Sequence, residues 1–118
     1  MPVTSCHMVI EALEGDAVRV VVEGEVAGPA AYTLDTELRR VEATRPSSLL
    51  LDLSALGFID SAGLARLLAA HRRARRDGRR LMVVQGHGPV RRLIALTALD
   101  HQLEVFSDAG SAVAAVRR

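Results

Sequence analysis

The sequence predicts one α/β domain with a mixed, mostly parallel sheet and helices packed on it. The chain has 118 residues, 49% of them hydrophobic, which is enough for one core but would leave two cores thin. After an initial pair of strands, aliphatic runs alternate with amphipathic segments in the order β-β-α-β-α-β-α-β-α. Neither a repeat nor a long linker divides the chain, so we expect a single domain over residues 1–118.

The first elements are a hairpin and a helix. The runs HMVIEALEG and DAVRVVVEG are separated by Glu14-Gly15-Asp16, which predicts two antiparallel strands joined by a short turn. Gly28-Pro29 then opens a helix, because proline is well suited to a first helical position, and this helix ends before Pro46. Its apolar face is formed by Leu34, Leu38 and Val41.

Strands and helices alternate over the rest of the chain. SSLLLDL is a nearly continuous apolar run, typical of a strand covered on both faces, and RRLMVVQG is the next strand. Between them we expect a helix that begins at Ser61 and stops at Gly78. Its inward residues are Leu64, Leu67, Leu68 and His71. Gly88-Pro89 opens a third helix, QLEVFS is a last strand, and DAGSAVAAVRR a closing helix. The apolar stripe of the third helix is Val90, Leu93, Ile94 and Thr97.

The composition excludes several classes of function. All fifteen cationic residues are arginines, and the absence of lysine removes any P-loop or Schiff-base mechanism, because both need a lysine amine. Cys6 is the only cysteine and the four histidines are scattered, so we expect no disulfide, no metal site and no cofactor. The apolar runs are too short for a membrane span and the N-terminus lacks a basic leader, so we expect a cytoplasmic protein.

The stretch GFIDSAGLARLL, residues 57–68, is the most informative for function. It places Ser61 in a loop on the carboxyl side of the sheet, where functional sites gather in such folds. Ser61 is predicted to cap the following helix, which would stabilise the domain by about 1 kcal/mol. Ala62 and Gly63 are small and would leave its hydroxyl accessible. A phosphate there would lie at the positive end of the helix dipole and add about −1.5 to −2 charge beside Asp60, breaking an interface fitted to a neutral hydroxyl.

Several segments resemble STAS domains of the anti-sigma factor antagonist type. They are VVVEGEV, LLLDLSALGFIDSAGLARLLAAHRRARRDG, RLMVVQGHGPVRRLIALTALD and LEVFSD, which together extend over almost the whole chain. The central motif, DLSxLxFIDSxGL, is the most specific of these. The resemblance implies a single STAS domain with the mixed sheet described above.

The resemblance also implies a regulatory role rather than an enzymatic one, with Ser61 as the phosphoacceptor. The modifier would be an anti-sigma factor that is an ATP-dependent serine kinase of the histidine-kinase-like ATPase type, and a serine phosphatase would reset the switch. The unphosphorylated form would bind the kinase and release a sigma factor, whereas the phosphorylated form would let go. The implied partner-binding residues are Glu25, Asp60, Ser61, Ala62, Gly63, Leu64 and Arg66. Direct contact with nucleic acid or a membrane is not expected.

Within this motif, we expect Asp60 to shape the loop, Gly63 to allow close approach of the partner and Leu64 to anchor the helix. Two positions depart from the family pattern. Ala27 stands where an acidic residue often follows the Gly-Glu turn, so we expect one fewer polar contact with the kinase or nucleotide. Ala62 stands where a second serine or threonine is common, which leaves Ser61 as the only hydroxyl of the loop.

Other functions have weaker support in the sequence. Asp52 ends a buried strand as in a receiver domain, but a receiver also needs a lysine, so we expect a strand-end hydrogen-bonding role. The arginines of residues 72–80 could contact nucleic acid or an acidic partner, or complement the helix end. QGHGP, with His87, could hold an anion, although a tight turn explains its glycines. DSAG lacks the GxSxG elbow of hydrolases.

The main alternative is a STAS domain that is never phosphorylated and acts as a scaffold or small-ligand module.

Overall fold

The computed structural model describes residues 6–116, apart from the side chain of Asp100. The strands are β1 (Cys6–Leu13), β2 (Ala17–Val26), β3 (Ser48–Asp52), β4 (Leu56–Ile59), β5 (Arg80–Val84) and β6 (Glu104–Phe106). The helices are α1 (Ala30–Glu42), α2 (Ser61–Asp77), α3 (Pro89–Leu96) and α4 (Ala109–Val116), with a 3₁₀ turn at Leu99–His101. Within this part of the chain, no helix combines the length and apolarity needed to cross a membrane.

The strands form one mixed sheet in the order β1-β2-β3-β5-β6, with β4 as an additional partner of β2. β1 and β2 are antiparallel, as expected for a hairpin, and the remaining pairs are parallel. Parallel neighbours need a crossover connection, and the helices between the strands provide it. The predicted fold class is confirmed.

Residues 56–59, which the sequence pattern assigns to a loop, form the short strand β4. Leu56 and Ile59 are buried and the two residues between them are exposed, so the segment shows no regular alternation. β4 finds a partner because β2 extends beyond β3: residues 17–21 of β2 pair with β3, and residues 24–26 pair with β4. The loop expectation is therefore wrong here, and only Asp60 separates β4 from α2.

Helices cover both faces of the sheet, but unequally. Leu49 and Leu51 of β3 belong to the larger core with α1, α2 and α3, whereas Leu50 belongs to a smaller core under α4. Successive side chains of a strand point to opposite faces, so this central strand is buried on both, as its continuous apolar run predicts. Of the inward residues predicted for α2, Leu67 is fully buried, and Leu64, Leu68 and His71 are half-buried.

The helix ends agree closely with the predicted ones. α1 ends before Pro46, and α2 ends at Gly78, which adopts the left-handed conformation (φ +69°) that glycine tolerates. Thr97, which was expected within α3, is instead its C-cap, and its hydroxyl donates to the carbonyl oxygen of Leu93 at 2.8 Å. The last two residues of the predicted closing helix lie outside the described residues.

Candidate functional site

The carboxyl ends of β2 and β4 meet at one edge of the sheet, and α2 begins there. Val26 pairs with Ile59, and the amide of Asp60 donates to the carbonyl oxygen of Val26 at 3.0 Å. The loop that follows β2 therefore lies beside the first turn of α2. This arrangement brings Glu25, near the end of β2, to the same edge of the sheet as the start of α2 at Ser61.

Asp60 is the N-cap of α2. Its Oδ1 accepts a hydrogen bond from the Gly63 amide and its Oδ2 one from the Gly28 amide, both at 2.9 Å. The Gly28 and Gly63 amides hold the pKa of Asp60 below its usual range, because they stabilise the charged form. The expected capping role of Ser61 is wrong: the aspartate one position earlier performs it, since Asp caps helices as well as Ser does.

Ser61 is the first residue of α2 and is exposed. Among the described residues, none forms a hydrogen bond with its hydroxyl. The hydroxyl stands at the positive end of the α2 dipole, where added negative charge is favoured. It can therefore accept a covalent group without the loss of any interaction that the folded protein makes.

Gly63, in contrast to the exposed Ala62, is buried and faces the sheet. A Cβ atom at this position would lie 2.5 Å from Cγ1 of Ile59 and 2.8 Å from Cγ1 of Val26. Carbon atoms do not approach so closely without displacement, so glycine is needed for α2 to pack against β2 and β4. The close approach that Gly63 permits is thus internal, and not to a partner as expected from the sequence.

Leu64 and Arg66 connect the start of α2 to the rest of the molecule. Leu64 is half-buried against the larger core, as expected for a helix anchor. The Arg66 guanidinium lies 4.9 Å from the centre of the Tyr32 ring on α1, a distance typical of a cation–π contact. Its Nη1 is 3.9 Å from Oδ2 of Asp35. Arg66 is therefore positioned by contacts within the protein, and it links α2 to α1.

Glu25 is exposed near the end of β2, opposite Phe58 of β4. The pairing shifts register between Gly24 and Glu25, and Gly24 has a φ of +91°, which residues with side chains rarely adopt. Irregularities of this kind redirect the side chains that follow them.

Ala27, at the position where the family often has an acidic residue, is half-buried, and its carbonyl oxygen accepts from the Ala30 amide at 3.1 Å.

Tyr32 and Phe58 are functional candidates that the sequence pattern does not reveal. The chain has only three aromatic residues, yet these two are 67% and 42% exposed. Phe58 lies on the strand that leads to Ser61, and Tyr32 contacts Arg66 of α2. Exposed aromatic side chains are enriched at protein interfaces. The small number of aromatic residues in the sequence could have drawn attention to them. Only the structure shows that both are exposed.

Asp52 lies at the end of β3 with 1% of its surface exposed. Its Oδ2 accepts from Nη2 of Arg19 at 2.6 Å, and its Oδ1 accepts from the amide and the hydroxyl of Ser54 at 3.0 and 2.6 Å. Burial alone would raise the pKa of Asp52, but the bonds from Ser54 and Arg19 outweigh it and leave the pKa below its usual range. The expected strand-end role is confirmed, and both oxygens that a phosphoacceptor would offer are already bonded.

The QGHGP loop forms a tight turn after β5. Gly86 has a φ of +67°, and a Cβ atom on it would lie 2.8 Å from Cα of Ser54, so the turn interpretation of this glycine is confirmed. His87 is exposed and lines an open cleft of about 300 Å³ with Gly88, Arg91, Arg92 and Ala95. Across residues 6–116, no three His, Cys, Asp or Glu side chains are grouped closely enough to hold a metal ion.

The arginines of residues 72–80 are divided between internal contacts and solvent. Arg73 is 8% exposed, and its guanidinium donates to both carboxylate oxygens of Glu42, at 2.7 and 2.9 Å, and to Asp35 at 3.3 Å. Arg79 donates to two backbone carbonyl oxygens, and Arg80 to the Glu104 carboxylate. This internal use of three arginines breaks up the basic surface that a nucleic acid would need. The exposed members are Arg72, Arg75 and Arg76.

Comparison with known proteins finds similarity to anti-sigma factor antagonists. The sequence profile of the STAS domain matches residues 8–112. The anti-sigma-F factor antagonist RsfB of Mycobacterium tuberculosis is 32% identical over 96 residues, which are 81% of this chain and 78% of that protein. The crystal structure of an anti-sigma factor antagonist from Mycobacterium paratuberculosis is similar with a TM-score of 0.90 at 30% identity, covering 98% of this chain and 97% of that one.

The anti-sigma factor antagonist SpoIIAA of Bacillus has the same fold at lower identity. Its unphosphorylated form is similar with a TM-score of 0.77 at 17% identity, covering 94% of this chain and 95% of that one. Its phosphorylated form gives a TM-score of 0.71 at 15% identity, covering 93% and 99%. At this level of identity, the likeness shows the fold alone.

Proposed function

Because the chain belongs to the STAS domain family, we propose that it is an anti-sigma factor antagonist that is switched by phosphorylation of Ser61. The unphosphorylated protein binds an anti-sigma factor that is a serine kinase of the histidine-kinase-like ATPase type, and this binding releases a sigma factor. Phosphorylation of Ser61 ends the binding, and a serine phosphatase restores it. RsfB and the Mycobacterium paratuberculosis protein, both named as anti-sigma factor antagonists, support the general role.

The observation that carries the proposal is the exposed Ser61 hydroxyl at the start of a helix that Asp60 already caps. A protein substrate of a kinase needs no catalytic groups of its own, because the kinase supplies the nucleotide, the metal ion and the base. The cap does not depend on Ser61, so the helix start survives modification of its hydroxyl. SpoIIAA, which shares the fold, is known in unphosphorylated and phosphorylated forms.

The electrostatics of the helix start explain how a phosphate would act. It would add about −1.5 to −2 charge next to the Asp60 carboxylate, whose oxygens already accept from Gly28 and Gly63. The α2 dipole offsets part of this charge, so the fold tolerates the modification. A partner surface fitted to a neutral hydroxyl beside one carboxylate would then face a strongly anionic patch, and binding would be lost.

The partner surface extends from Ser61 over neighbouring exposed side chains. Ala62 lies beside Ser61 and has no bulky side chain to obstruct the kinase. Glu25 and Phe58 face each other across β2 and β4, and Tyr32 lies against Arg66. Aromatic anchors surrounded by polar groups are the usual composition of a protein-binding surface. Gly63 and Leu64 support this surface from beneath.

The proposal can be tested with purified anti-sigma kinases of the source organism, each incubated with the protein and ATP. We expect one of them to phosphorylate Ser61, as located by phosphopeptide mass spectrometry, and to bind the unmodified protein only. Ser61→Ala should bind this kinase without becoming modified, and Ser61→Glu should bind weakly because it carries a permanent charge.

Ser111→Ala is the matched control. Ser111 is also exposed in the first turn of a helix, and its amide donates to an aspartate, Asp108, at 2.8 Å. This variant should be phosphorylated and bound like the wild type. Phosphate at another residue, or equal binding by the Ser61→Ala and Ser61→Glu variants, would contradict the proposal. A kinase partner that binds stably and never modifies Ser61 would favour the scaffold alternative.

A further inference from the structure

Among the described residues, β1 is an edge strand of the sheet. It pairs with β2 through eight consecutive residue pairs, from Cys6↔Gly24 to Leu13↔Ala17, without a bulge. No described strand lies on its other side. Edge strands of natural proteins are often protected by proline, charged residues, a bulge or short length; β1 has eight residues, no proline or bulge, and Glu11 as its one acidic side chain. The opposite edge strand, β6, has only three residues. β1 is therefore the edge at which another strand can add.

Two large apolar side chains near the middle of β1 are exposed. Val9 is 41% exposed and Ile10 is 47% exposed. They point to opposite faces of the sheet, because successive residues of a strand alternate. A strand added to this edge would cover part of both side chains, so both faces of the edge would gain apolar contact.

On the Val9 face, charged side chains form a row that ends at the edge. Asp52 of β3 contacts Arg19 of β2 at 2.6 Å, and Arg19 contacts Glu11 of β1 at 3.3 Å. The charges alternate across the three strands, and Glu11 is the last of them. Opposite charges on neighbouring strands stabilise a sheet, so a hydrogen-bond donor or a positive group beyond Glu11 would continue the row.

We propose that a second copy of this chain occupies the β1 edge, with the two β1 strands antiparallel and Val9 opposite Val9 of the second copy. In this register, His7 lies opposite Glu11 of the second copy, and Met8 lies opposite Ile10 of the second copy. The pairing has twofold symmetry, so the His7–Glu11 and Met8–Ile10 contacts each occur twice. His7 supplies the donor that continues the row of charges, since an imidazole ring donates a hydrogen bond in either protonation state.

Neighbouring registers are less favourable. With Ile10 opposite Ile10, Val9 would face the charged Glu11 and His7 would face Leu13. With Met8 opposite Met8, Val9 would face His7, and Glu11 would lose its histidine partner. Only the register centred on Val9 places apolar residues opposite apolar residues and the histidine opposite the glutamate. The sequence of β1 is therefore self-complementary in one register.

The dimer leaves the proposed kinase-binding surface free. β2 pairs with β1 along one side and with β4 along the other, and α2 follows β4. Pairing through β1 therefore extends the sheet away from Ser61. A dimer carries two copies of the Ser61 surface, and the inference does not depend on the proposed function.

The first test is sedimentation velocity of the unmodified protein over a range of concentrations, where we expect a reversible equilibrium between monomer and dimer. His7→Glu places two glutamates opposite each other at two positions and should raise the dimer dissociation constant by roughly tenfold. The double variant His7→Glu/Glu11→Arg should recover dimerisation. His87→Glu, at another exposed histidine, is the matched control and should leave it unchanged. Because Glu11 also contacts Arg19, circular dichroism melts verify that each variant is folded.

The second test measures the register. In a Cys6→Ser background, Val9→Cys should form a disulfide between copies under mild oxidation, because paired Cα atoms lie about 4.5–5.5 Å apart, within disulfide range. Ile10→Cys is the control. In this register Ile10 lies opposite Met8 of the second copy, so the two cysteines at position 10 would be two residues apart along the strands. A protein that is monomeric at all concentrations, a dimer insensitive to His7→Glu, or preferential crosslinking through position 10 would overturn the inference. So would hydrogen exchange that protects β1 only when the anti-sigma partner is bound.

Discussion

The amide of Gly28 donates a 2.9 Å hydrogen bond to Oδ2 of Asp60 and so joins the loop after β2 to the first turn of α2. Gly28 has a φ of +54°, a conformation that glycine adopts readily. The other carboxylate oxygen of Asp60 accepts from Gly63. One side chain therefore holds both backbone segments that border Ser61.

Asp60→Asn should separate the capping role of this side chain from its role in joining the two segments. Asparagine caps helices well, but it has only one acceptor oxygen and cannot accept from two amides on separate atoms. We expect faster hydrogen exchange at the Gly28 amide, a lower melting temperature and weaker binding to the kinase partner. Asp108→Asn, which alters the start of α4, should leave binding unchanged. An unchanged Gly28 exchange rate would show that the bond contributes little.

Gly63→Ala should destabilise the protein by about 1–3 kcal/mol, the usual cost of an overpacked site, measured by urea unfolding. The added methyl group would lie 2.5 Å from Ile59 and 2.8 Å from Val26, so α2 would have to move away from the sheet. Gly57→Ala is the control, because its nearest contact would be an ordinary 3.5 Å to the carbonyl oxygen of Gly24. Equal stability of the two variants would contradict the close packing described for α2.

Tyr32→Ala should weaken kinase binding by roughly tenfold, since truncation of an aromatic anchor commonly costs more than 1 kcal/mol of binding. The ring is 67% exposed, so the free energy of unfolding should change little. Tyr32→Phe retains the ring that Arg66 contacts and should bind like the wild type. Titration calorimetry measures both variants. If Tyr32→Ala bound as tightly as Tyr32→Phe, the surface would lie elsewhere.

Arg73→Ala should destabilise the fold by about 3–5 kcal/mol, because it leaves the mostly buried Glu42 carboxylate without its partner and removes one of the cations that contact Asp35. Its guanidinium donates to Glu42 and Asp35, and only 8% of Arg73 is exposed. Arg73→Lys should recover only part of the loss, since an ammonium group cannot form the paired bonds to Glu42. The exposed neighbour Arg72→Ala should change stability by less than about 0.5 kcal/mol. Similar unfolding curves for the Arg72 and Arg73 variants would contradict this account.

Acid should destabilise the protein in a range set by its carboxylates. The pKa values of Asp35 and Asp52 are lowered: burial opposes ionisation, but the bonds from Arg39 to Asp35 and from Ser54 and Arg19 to Asp52 outweigh it. Both groups therefore contribute stability that is fully present above the unfolded pKa of about 3.9 and is lost as the pH falls through their folded values. The free energy of unfolding should decrease as the pH is lowered from neutral to below 4. In the Asp52→Asn variant, this decrease should be smaller. Stability that rises on acidification would contradict the assignment.

The order of most elements follows from the sequence, because their patterns are long and local. The stripe of Leu34 and Leu38 defines α1, and the run SSLLLDL defines a strand covered on both faces. β4 could not be predicted in this way, because four residues carry no clear period and their pairing depends on the distant β2. A sequence pattern predicts an element well when its apolar residues repeat along one face. It predicts an element poorly when pairing with a distant strand determines the structure.

The candidate site was also predicted only in part. The loop of this motif lies at the carboxyl edge of the sheet as predicted, and Ser61 is exposed as expected. Asp60 and Ser61 are both good capping residues, so the sequence alone did not decide which of them caps α2. The burial of Gly63 and of Arg73 arises from contacts between α2 and distant segments, which no local spacing reveals.

The successive pairing of β2 with β3 and then with β4 has a consequence for the order of folding. The β1–β2 hairpin needs only a short turn, whereas both parallel pairings of β2 must first close the loop that contains α1. β4 is hydrogen-bonded to β2, and Asp60 continues that pairing by one residue. The surface around Ser61 therefore takes its shape only after these long-range contacts have formed, so a partially folded chain would offer the proposed kinase no assembled docking surface.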